Sequence, residues 1–124
     1  MAADGSITWW ELDVPDVARA QQFYGAVCPP WTFQPMEGFE GYVLVNVEGT
    51  GIGALQASDA GDPSGRGVTL YTQAADLEDT LGRVRQAGGK VEQERMEIPG
   101  NQWIGLARDP FGTKIGFVTN NPAK

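Results

Sequence analysis

The sequence predicts an α+β protein built from two βαβββ modules that form a concave mixed sheet. Three observations support this fold class. A pattern of residue types recurs after about sixty positions, which indicates a duplicated structural unit. Each copy contains short β-branched and aromatic runs typical of strands, together with one stretch of apolar residues at helical spacing. Each helical stretch follows an aspartate that can cap it.

The first copy begins with a predicted strand over residues 7–14. A helix follows the turn at residues 13–16, where either Asp13 or Asp16 could cap it. It ends before Pro29 and Pro30, because proline cannot continue a helix. Three further strands are predicted over residues 31–34, 42–47 and 52–57, with a hairpin turn between the last two.

The second copy repeats this order after residues 58–67, which are rich in Gly, Asp, Ser and Pro and form the expected linker. A strand over residues 68–74 precedes a helix that Asp76 caps and that Gly88 and Gly89 end. Strands are predicted over residues 90–94, 103–108 and 114–119, with a loop over 96–102 and a mobile polar tail from Asn120.

Aligning the copies pairs individual positions. Residues 7–10 align with 68–71, Asp16 then falls on Asp76 after a one-residue gap, and residues 52–56 align with 115–119. Two pairs of equivalent positions follow: Trp9 with Leu70, and Gln56 with Thr119.

Length and charge limit the possible functions. The 124 residues suit one domain over residues 1–124, made of repeat 7–57, linker 58–67 and repeat 68–119. The net charge of −7 argues against nucleic acid and anionic membranes as partners. No apolar run is long enough to span a bilayer, and no basic segment precedes an apolar core at the start, so we expect a cytoplasmic protein.

The order of these features resembles the vicinal oxygen chelate superfamily, which includes glyoxalases, bleomycin-resistance proteins and extradiol dioxygenases. The resemblance covers residues 7–119. It is carried by residues 16–24, by Asp76-Leu77, by Gly88-Gly89 and, most specifically, by the turn at residues 109–112 (Asp-Pro-Phe-Gly) before the last strand. It implies a glyoxalase-like fold.

In metal-using members of this family, four side chains from the first and last strands of the two copies hold the ion. The resemblance places them at Trp9, Gln56, Leu70 and Thr119, and only Gln56 is a reasonable ligand. The sequence contains no histidine. We therefore expect no metal and no cofactor, which argues against metal-dependent glyoxalase or dioxygenase chemistry.

The concave side of the sheet is predicted to form an aromatic cup that binds a ligand. Strand alternation places Glu11 beside Trp9, Thr72 beside Leu70 and Phe117 beside Thr119. The predicted ligand-binding residues are Trp9, Glu11, Phe39, Tyr42, Leu44, Gln56, Leu70, Thr72, Trp103, Phe117 and Thr119. Trp10, Phe23 and Tyr24 are assigned to the helix layer, whereas for Trp31, Phe33 and Met36 both placements remain open.

Two functions fit this cup. The first is a metal-independent binding protein that sequesters a partly apolar or aromatic small molecule of the antibiotic type. Such a protein would resemble the metal-free drug-binding branch of the family. The second is a metal-independent isomerase, cyclase or lyase of secondary metabolism with Glu11 as base. A domain used only for protein association is a third possibility. Because an exposed aromatic cup is unfavourable in water, we expect a homodimer.

Overall fold

The computed structural model describes residues 3–57 and 67–124. Its elements, in chain order, are β1 (Ile7–Val14), α1 (Val17–Val27), β2 (Trp31–Pro35), β3 (Tyr42–Val47), β4 (Thr50–Ala57), β5 (Gly67–Gln73), α2 (Leu77–Gln86), β6 (Lys90–Ile98), β7 (Gln102–Arg108) and β8 (Lys114–Thr119). The order βαβββ therefore occurs twice. The chain divides into two compact units, Trp9–Thr69 and Leu70–Lys124 together with Met1–Thr8.

The first module, β1 to β4, has the strand order β2-β3-β4-β1. Strands β1 and β4 run parallel, whereas β2, β3 and β4 pair in antiparallel fashion. Its core consists of Val43, Val45 and Leu55, which are at most 5% exposed. The helix α1 packs on this core through Val17 and Ala20, so this side of the sheet is the helix side.

Aromatic rings fill the space between this sheet and α1. A β-carbon added at Gly53 would lie 2.3 Å from the Trp10 ring, so only glycine lets the ring lie flat on β4. The Trp10 ring stacks on Trp31 with 5.6 Å between centroids, and Tyr24 lies 5.7 Å from Trp31. Phe33 packs on the same core. Trp31 and Phe33, whose placement the sequence left open, are thus part of the helix layer.

The second module, β5 to β8, has the order β5-β8-β7-β6, with β5 and β8 parallel and the other pairs antiparallel. Leu77 and Leu81 of α2 are at most 1% exposed and anchor this helix. Strand β6 continues to Ile98, so the predicted loop over residues 96–102 is wrong in its first half. The antiparallel pairing of residues 96–98 with β7 extends the strand, and the sequence does not show this pairing.

Both helices begin after an aspartate: of the two candidates Asp13 and Asp16, Asp16 caps α1, and the predicted Asp76 caps α2. The carboxylates of Asp16 and Asp76 accept hydrogen bonds of 3.0 Å from the backbone N–H groups three residues later, as N-caps do. The tail from Asn120 makes defined contacts: the side chain of Asn121 donates to the Ala75 carbonyl, and Lys124 pairs with Asp76 at 2.8 Å. These contacts join the tail to the start of α2, and its mobility stays a prediction.

The α+β class with two βαβββ modules is confirmed. The single domain over residues 1–124, the concave surface shared by the copies and the cytoplasmic location stay predictions. The predicted linker at 58–67 lies, except for Gly67, outside the described residues. Among the described residues, no helix has both the length and the apolar character that crossing a bilayer requires.

Candidate functional site

Three side chains of the first module form a hydrogen-bonded chain on the side of the sheet away from α1. The Trp9 indole N–H donates to the Tyr42 hydroxyl at 3.0 Å, and this hydroxyl donates to Glu11 Oε2 at 2.7 Å. Trp9 and Glu11 are two residues apart on β1, so strand alternation points both to one side. Their partner comes from β3, 31 residues beyond Glu11.

The electrostatics of this chain keep Tyr42 protonated. Burial raises the pKa of Tyr42 well above its usual range, and the charge of Glu11 raises that pKa further. The hydroxyl therefore remains a donor to Glu11 throughout the physiological pH range. Glu11 is only 8% exposed, and among the described residues it is the one buried carboxylate. Such a hydrogen bond to an ionised acceptor is stronger than one between neutral groups.

The strand register brings two more predicted residues to this side. Tyr42 pairs with Gln56, and Leu44 pairs with Ala54, which in turn pairs with Glu11. We call the side of the sheet that carries Trp9, Glu11, Tyr42, Leu44 and Gln56 the polar face. The sequence predicted that these five residues lie together, and the structure places them together; their role in ligand binding stays a prediction.

Sequence reasoning missed Asp13 on the polar face. It is two residues beyond Glu11 on β1 and pairs with Gln56 on β4. The signal was present, because the alternation that placed Glu11 beside Trp9 extends one step further.

The Trp9 ring lies over the beginning of β4. A β-carbon added at Gly51 would be 3.5 Å from this ring and 3.3 Å from the side-chain oxygen of Asn46. The register of β3 and β4 shifts between Val45 and Asn46, and such irregularities re-aim side chains next to binding sites.

A surface hollow of about 490 Å³ adjoins Tyr42 at the turn between β2 and β3. Its lining is mostly apolar and includes Met36 and Phe39, together with Glu40. Phe39 is 47% exposed in a turn with positive φ at Gly38 and Gly41. The predicted ligand-binding residue Phe39 therefore lies close to Tyr42 in the chain and in space. Met36, whose placement the sequence left open, lines this hollow.

In the second module, the predicted site residues lie on the side that faces α2. The Arg95 guanidinium stacks 5.3 Å from the centre of the Trp103 ring and binds Glu78 of α2 through two hydrogen bonds of 2.7 Å. A β-carbon added at Gly105 would lie 3.1 Å from the Leu81 side chain of α2. Trp103 and Gly105 therefore point toward the helix.

Strand pairing extends this assignment to the other four residues. Thr119 pairs with Trp103, Phe117 pairs with Gly105, and Thr72 pairs with Phe117, so all share the side of α2. Leu70 follows by alternation from Thr72. The prediction that Leu70, Thr72, Trp103, Phe117 and Thr119 occupy the side away from the helix, as Trp9 does, is therefore wrong.

The error comes from the one-residue gap in the alignment of the copies. Asp16 and Asp76 both cap their helices, and counting back five residues without a gap places Glu11 on Tyr71. The parallel pairs agree, because Glu11 pairs with Ala54 and Tyr71 with Gly116. In a strand, a shift of one residue moves every side chain to the opposite side. The equal spacing to the two capping aspartates was the signal that could have prevented the gap.

The ligand positions that the resemblance implies do not fit a metal ion. The Trp9 N–H donates to Tyr42, and an indole nitrogen offers no lone pair to a cation. Gln56 supplies one neutral amide. The described residues contain no group of three or more His, Cys, Asp or Glu that could hold a metal. No chemical step is therefore assigned to a metal, and metal analysis of the purified protein would check the prediction that none is bound.

Comparison with known proteins supports the fold. The family model described as "Glyoxalase/Bleomycin resistance protein/Dioxygenase superfamily" matches residues 6–117. No curated protein matches the chain significantly.

Two similar solved structures are a superfamily member from Vibrio splendidus 12B01 and a methylmalonyl-CoA epimerase from Streptomyces coelicolor in complex with 2-nitronate-propionyl-CoA. The first is 20% identical with a TM-score of 0.64 and covers 89% of this chain and 95% of its own. The second is 17% identical with a TM-score of 0.61, and the match covers 94% of this chain and 98% of the epimerase chain. Identities this low establish the fold alone, and the predicted glyoxalase-like fold is confirmed. With the family match over nearly the whole sequence, the chain belongs to the glyoxalase/bleomycin resistance protein/dioxygenase superfamily.

Proposed function

We propose that this protein binds a partly apolar or aromatic small molecule on the polar face without a metal, and that it acts by sequestering this molecule. The observation that carries the proposal is the hydrogen-bonded chain from Trp9 through Tyr42 to Glu11, whose first residue stands at a position that the resemblance implies for a metal ligand. The natural ligand would be an antibiotic-type natural product, and sequestration would confer resistance to it.

The composition of the polar face supports this function. Ligand sites combine broad apolar walls with a few polar groups that fix orientation. Here Trp9, Tyr42 and Leu44 supply the walls, while Glu11 and Gln56 supply the polar groups. Because Tyr42 binds both Trp9 and Glu11, the rings are held in place before a ligand arrives, and less conformational entropy is lost on binding.

Tryptophan fluorescence tests this proposal directly. We expect planar aromatic antibiotics to quench the emission of the wild-type protein. Trp9→Phe should remove most of this quenching and weaken binding about three- to tenfold, since one stacked aromatic pair contributes about 0.5–1.5 kcal/mol. Trp103→Phe is the matched control, because its ring lies under Arg95 on the side of α2. A diverse panel that leaves the emission unchanged would remove the support for a binding function.

Catalysis is the second candidate, and the burial of Glu11 favours it. A carboxylate that is 8% exposed and hydrogen-bonded to a tyrosine is a reasonable general base for a metal-independent isomerase, cyclase or lyase. The fold also occurs in an epimerase, and at 17% identity this similarity concerns the fold alone.

Glu11→Gln separates the two candidates. In a binding protein, the variant changes affinity only, and mass spectrometry finds the wild-type ligand chemically unchanged. In an enzyme, the wild type converts the ligand, and the variant retains binding but loses turnover. Detection of a product with the wild type would refute pure sequestration.

A further inference from the structure

Two side-chain amides, those of Asn46 and Gln56, are available to a ligand on the polar face. Both residues are half-buried. In the described part of the chain neither side-chain amide makes a hydrogen bond, and the bond from the Thr32 hydroxyl goes to the backbone carbonyl of Asn46. An amide offers both donors and an acceptor. The N–H of Trp9 and the O–H of Tyr42, in contrast, already donate within the protein.

The Asn46 amide lies close to the Trp9 ring. A β-carbon added at Gly51 would lie 3.3 Å from Asn46 Oδ1 and 3.5 Å from this ring, so both groups are on the same side of β4. The register shift explains this arrangement, because Val45 pairs with Gly53 whereas Asn46 pairs with Gly51. Gly51 thereby points to the polar face, and its missing side chain leaves the space beside the ring and the amide open.

The Gln56 amide belongs to the other end of the polar face. Gln56 pairs with Tyr42, which is four residues from Asn46 on β3, a distance of about 13 Å along the strand. Leu44 lies between Tyr42 and Asn46 on the same side. A flat system of three fused rings, with one hydrogen bond of about 3 Å at each end, spans a similar length.

We propose that the ligand of the polar face is an elongated flat ring system with a hydrogen-bonding group at each end, one bound by Asn46 and the other by Gln56. The rings would lie along β3 and pack against Trp9, Tyr42 and Leu44. The inference rests on the proposed binding function and specifies the shape and polarity of the ligand. A ring without one end group would displace water from an amide and give no hydrogen bond in return, so the amides select against it.

Three uncharged probes with the same ring system test this selection: 2,6-diaminoanthraquinone, 2-aminoanthraquinone and anthraquinone, which carry two, one and no amino groups at the ends. Equilibrium dialysis against the wild-type protein should give the tightest binding for the diamino compound. Each amino group removed should weaken binding about three- to tenfold, the usual net effect of one hydrogen bond. This comparison needs no variant and therefore does not depend on how a variant folds.

Two variants locate the end groups. Asn46→Leu and Gln56→Met remove one amide each and nearly keep the size of the side chain. Each should weaken binding of the diamino compound about three- to tenfold and leave binding of anthraquinone unchanged. Gln22→Met is the matched control, because Gln22 is exposed on α1, on the other side of the sheet, and all three probes should bind this variant as they bind the wild type.

The possible outcomes separate this inference from the binding function itself. Equal binding of the three probes to the wild-type protein would overturn recognition at two ends and leave the aromatic binding function in place. An unchanged preference for the diamino compound in both amide variants would also overturn it, because other groups would then hold the ends. No binding of any probe would count against both proposals.

Discussion

Tyr42 shows what can and cannot be read from single residues. Alternation along β1 places Trp9 and Glu11 on one side, and both were predicted there. The hydrogen bonds that join them through Tyr42 were not predicted, because they depend on how β3 is placed relative to β1 by way of β4. A distance of 2.7 Å between two side chains 31 residues apart is a property of packing.

Removing the Tyr42 hydroxyl should destabilise the protein. In Tyr42→Phe, the Trp9 N–H and one oxygen of Glu11 lose a partner in a largely buried place, which costs about 1–3 kcal/mol. Urea denaturation followed by circular dichroism measures the change. Tyr24→Phe is the control, because within the described part of the chain the Tyr24 side chain makes only ring contacts. Equal midpoints for the two variants would contradict the role of this hydroxyl.

At the scale of elements, the sequence predicted most helices and strands but not the direction of every strand's side chains. Capping aspartates, terminating prolines and glycines, and hairpin turns act locally, so they set the bounds of α1 and α2 well. Which side of the sheet a residue of β5, β7 or β8 faces was predicted from the alignment of the two copies. One misplaced gap in that alignment reverses the predicted side. The length of β6 depends on its partner β7, and the prediction stopped it four residues early.

Two glycines in the second module test the assigned direction of β7. In α2, Gly82 has no atom within 4 Å of an added β-carbon, so Gly82→Ala should stabilise the protein by about 0.5–1 kcal/mol. On β7, an alanine at Gly105 would press against Leu81, which is 1% exposed and cannot move away easily. Gly105→Ala should therefore destabilise the protein by about 1–3 kcal/mol.

If Gly105 on β7 faces α2, the two alanine variants should shift the midpoint of thermal unfolding in opposite directions. A neutral or stabilising Gly105→Ala would mean that this position faces away from the helix. The predicted residue Trp103 would then regain its place beside the ligand.

At the scale of the whole molecule, we propose that the protein forms a homodimer. Several large apolar side chains are exposed in the single chain, among them Phe23 at 59%, Val27 at 55% and Phe111 at 91%. Phe23 and Val27 are four residues apart on α1 and therefore lie on one side of this helix. Exposed apolar patches of this kind commonly mark interaction surfaces.

Sedimentation velocity over a range of protein concentrations tests the dimer. We expect a mass twice the 13.3 kDa of the chain at micromolar concentration. Phe23→Ser should shift the distribution toward monomer if α1 contributes to the interface, whereas Phe39→Ser, in the turn beside the polar face, serves as the comparison. A monomer at every concentration would contradict the proposal.

The sequence by itself determined the class of the fold, the duplication, the bounds of most elements and five residues of the polar face in the first module, though not Asp13. These follow from local signals: periodicity, helix caps, and the alternation of side chains within one strand. The tertiary structure alone decided how Trp9, Tyr42 and Glu11 form hydrogen bonds with one another. It also decided that Trp103 and its neighbours lie on the side of the sheet that faces α2. Both outcomes depend on strand register, which is fixed by contacts between segments far apart in the chain and is reversed by a shift of one residue.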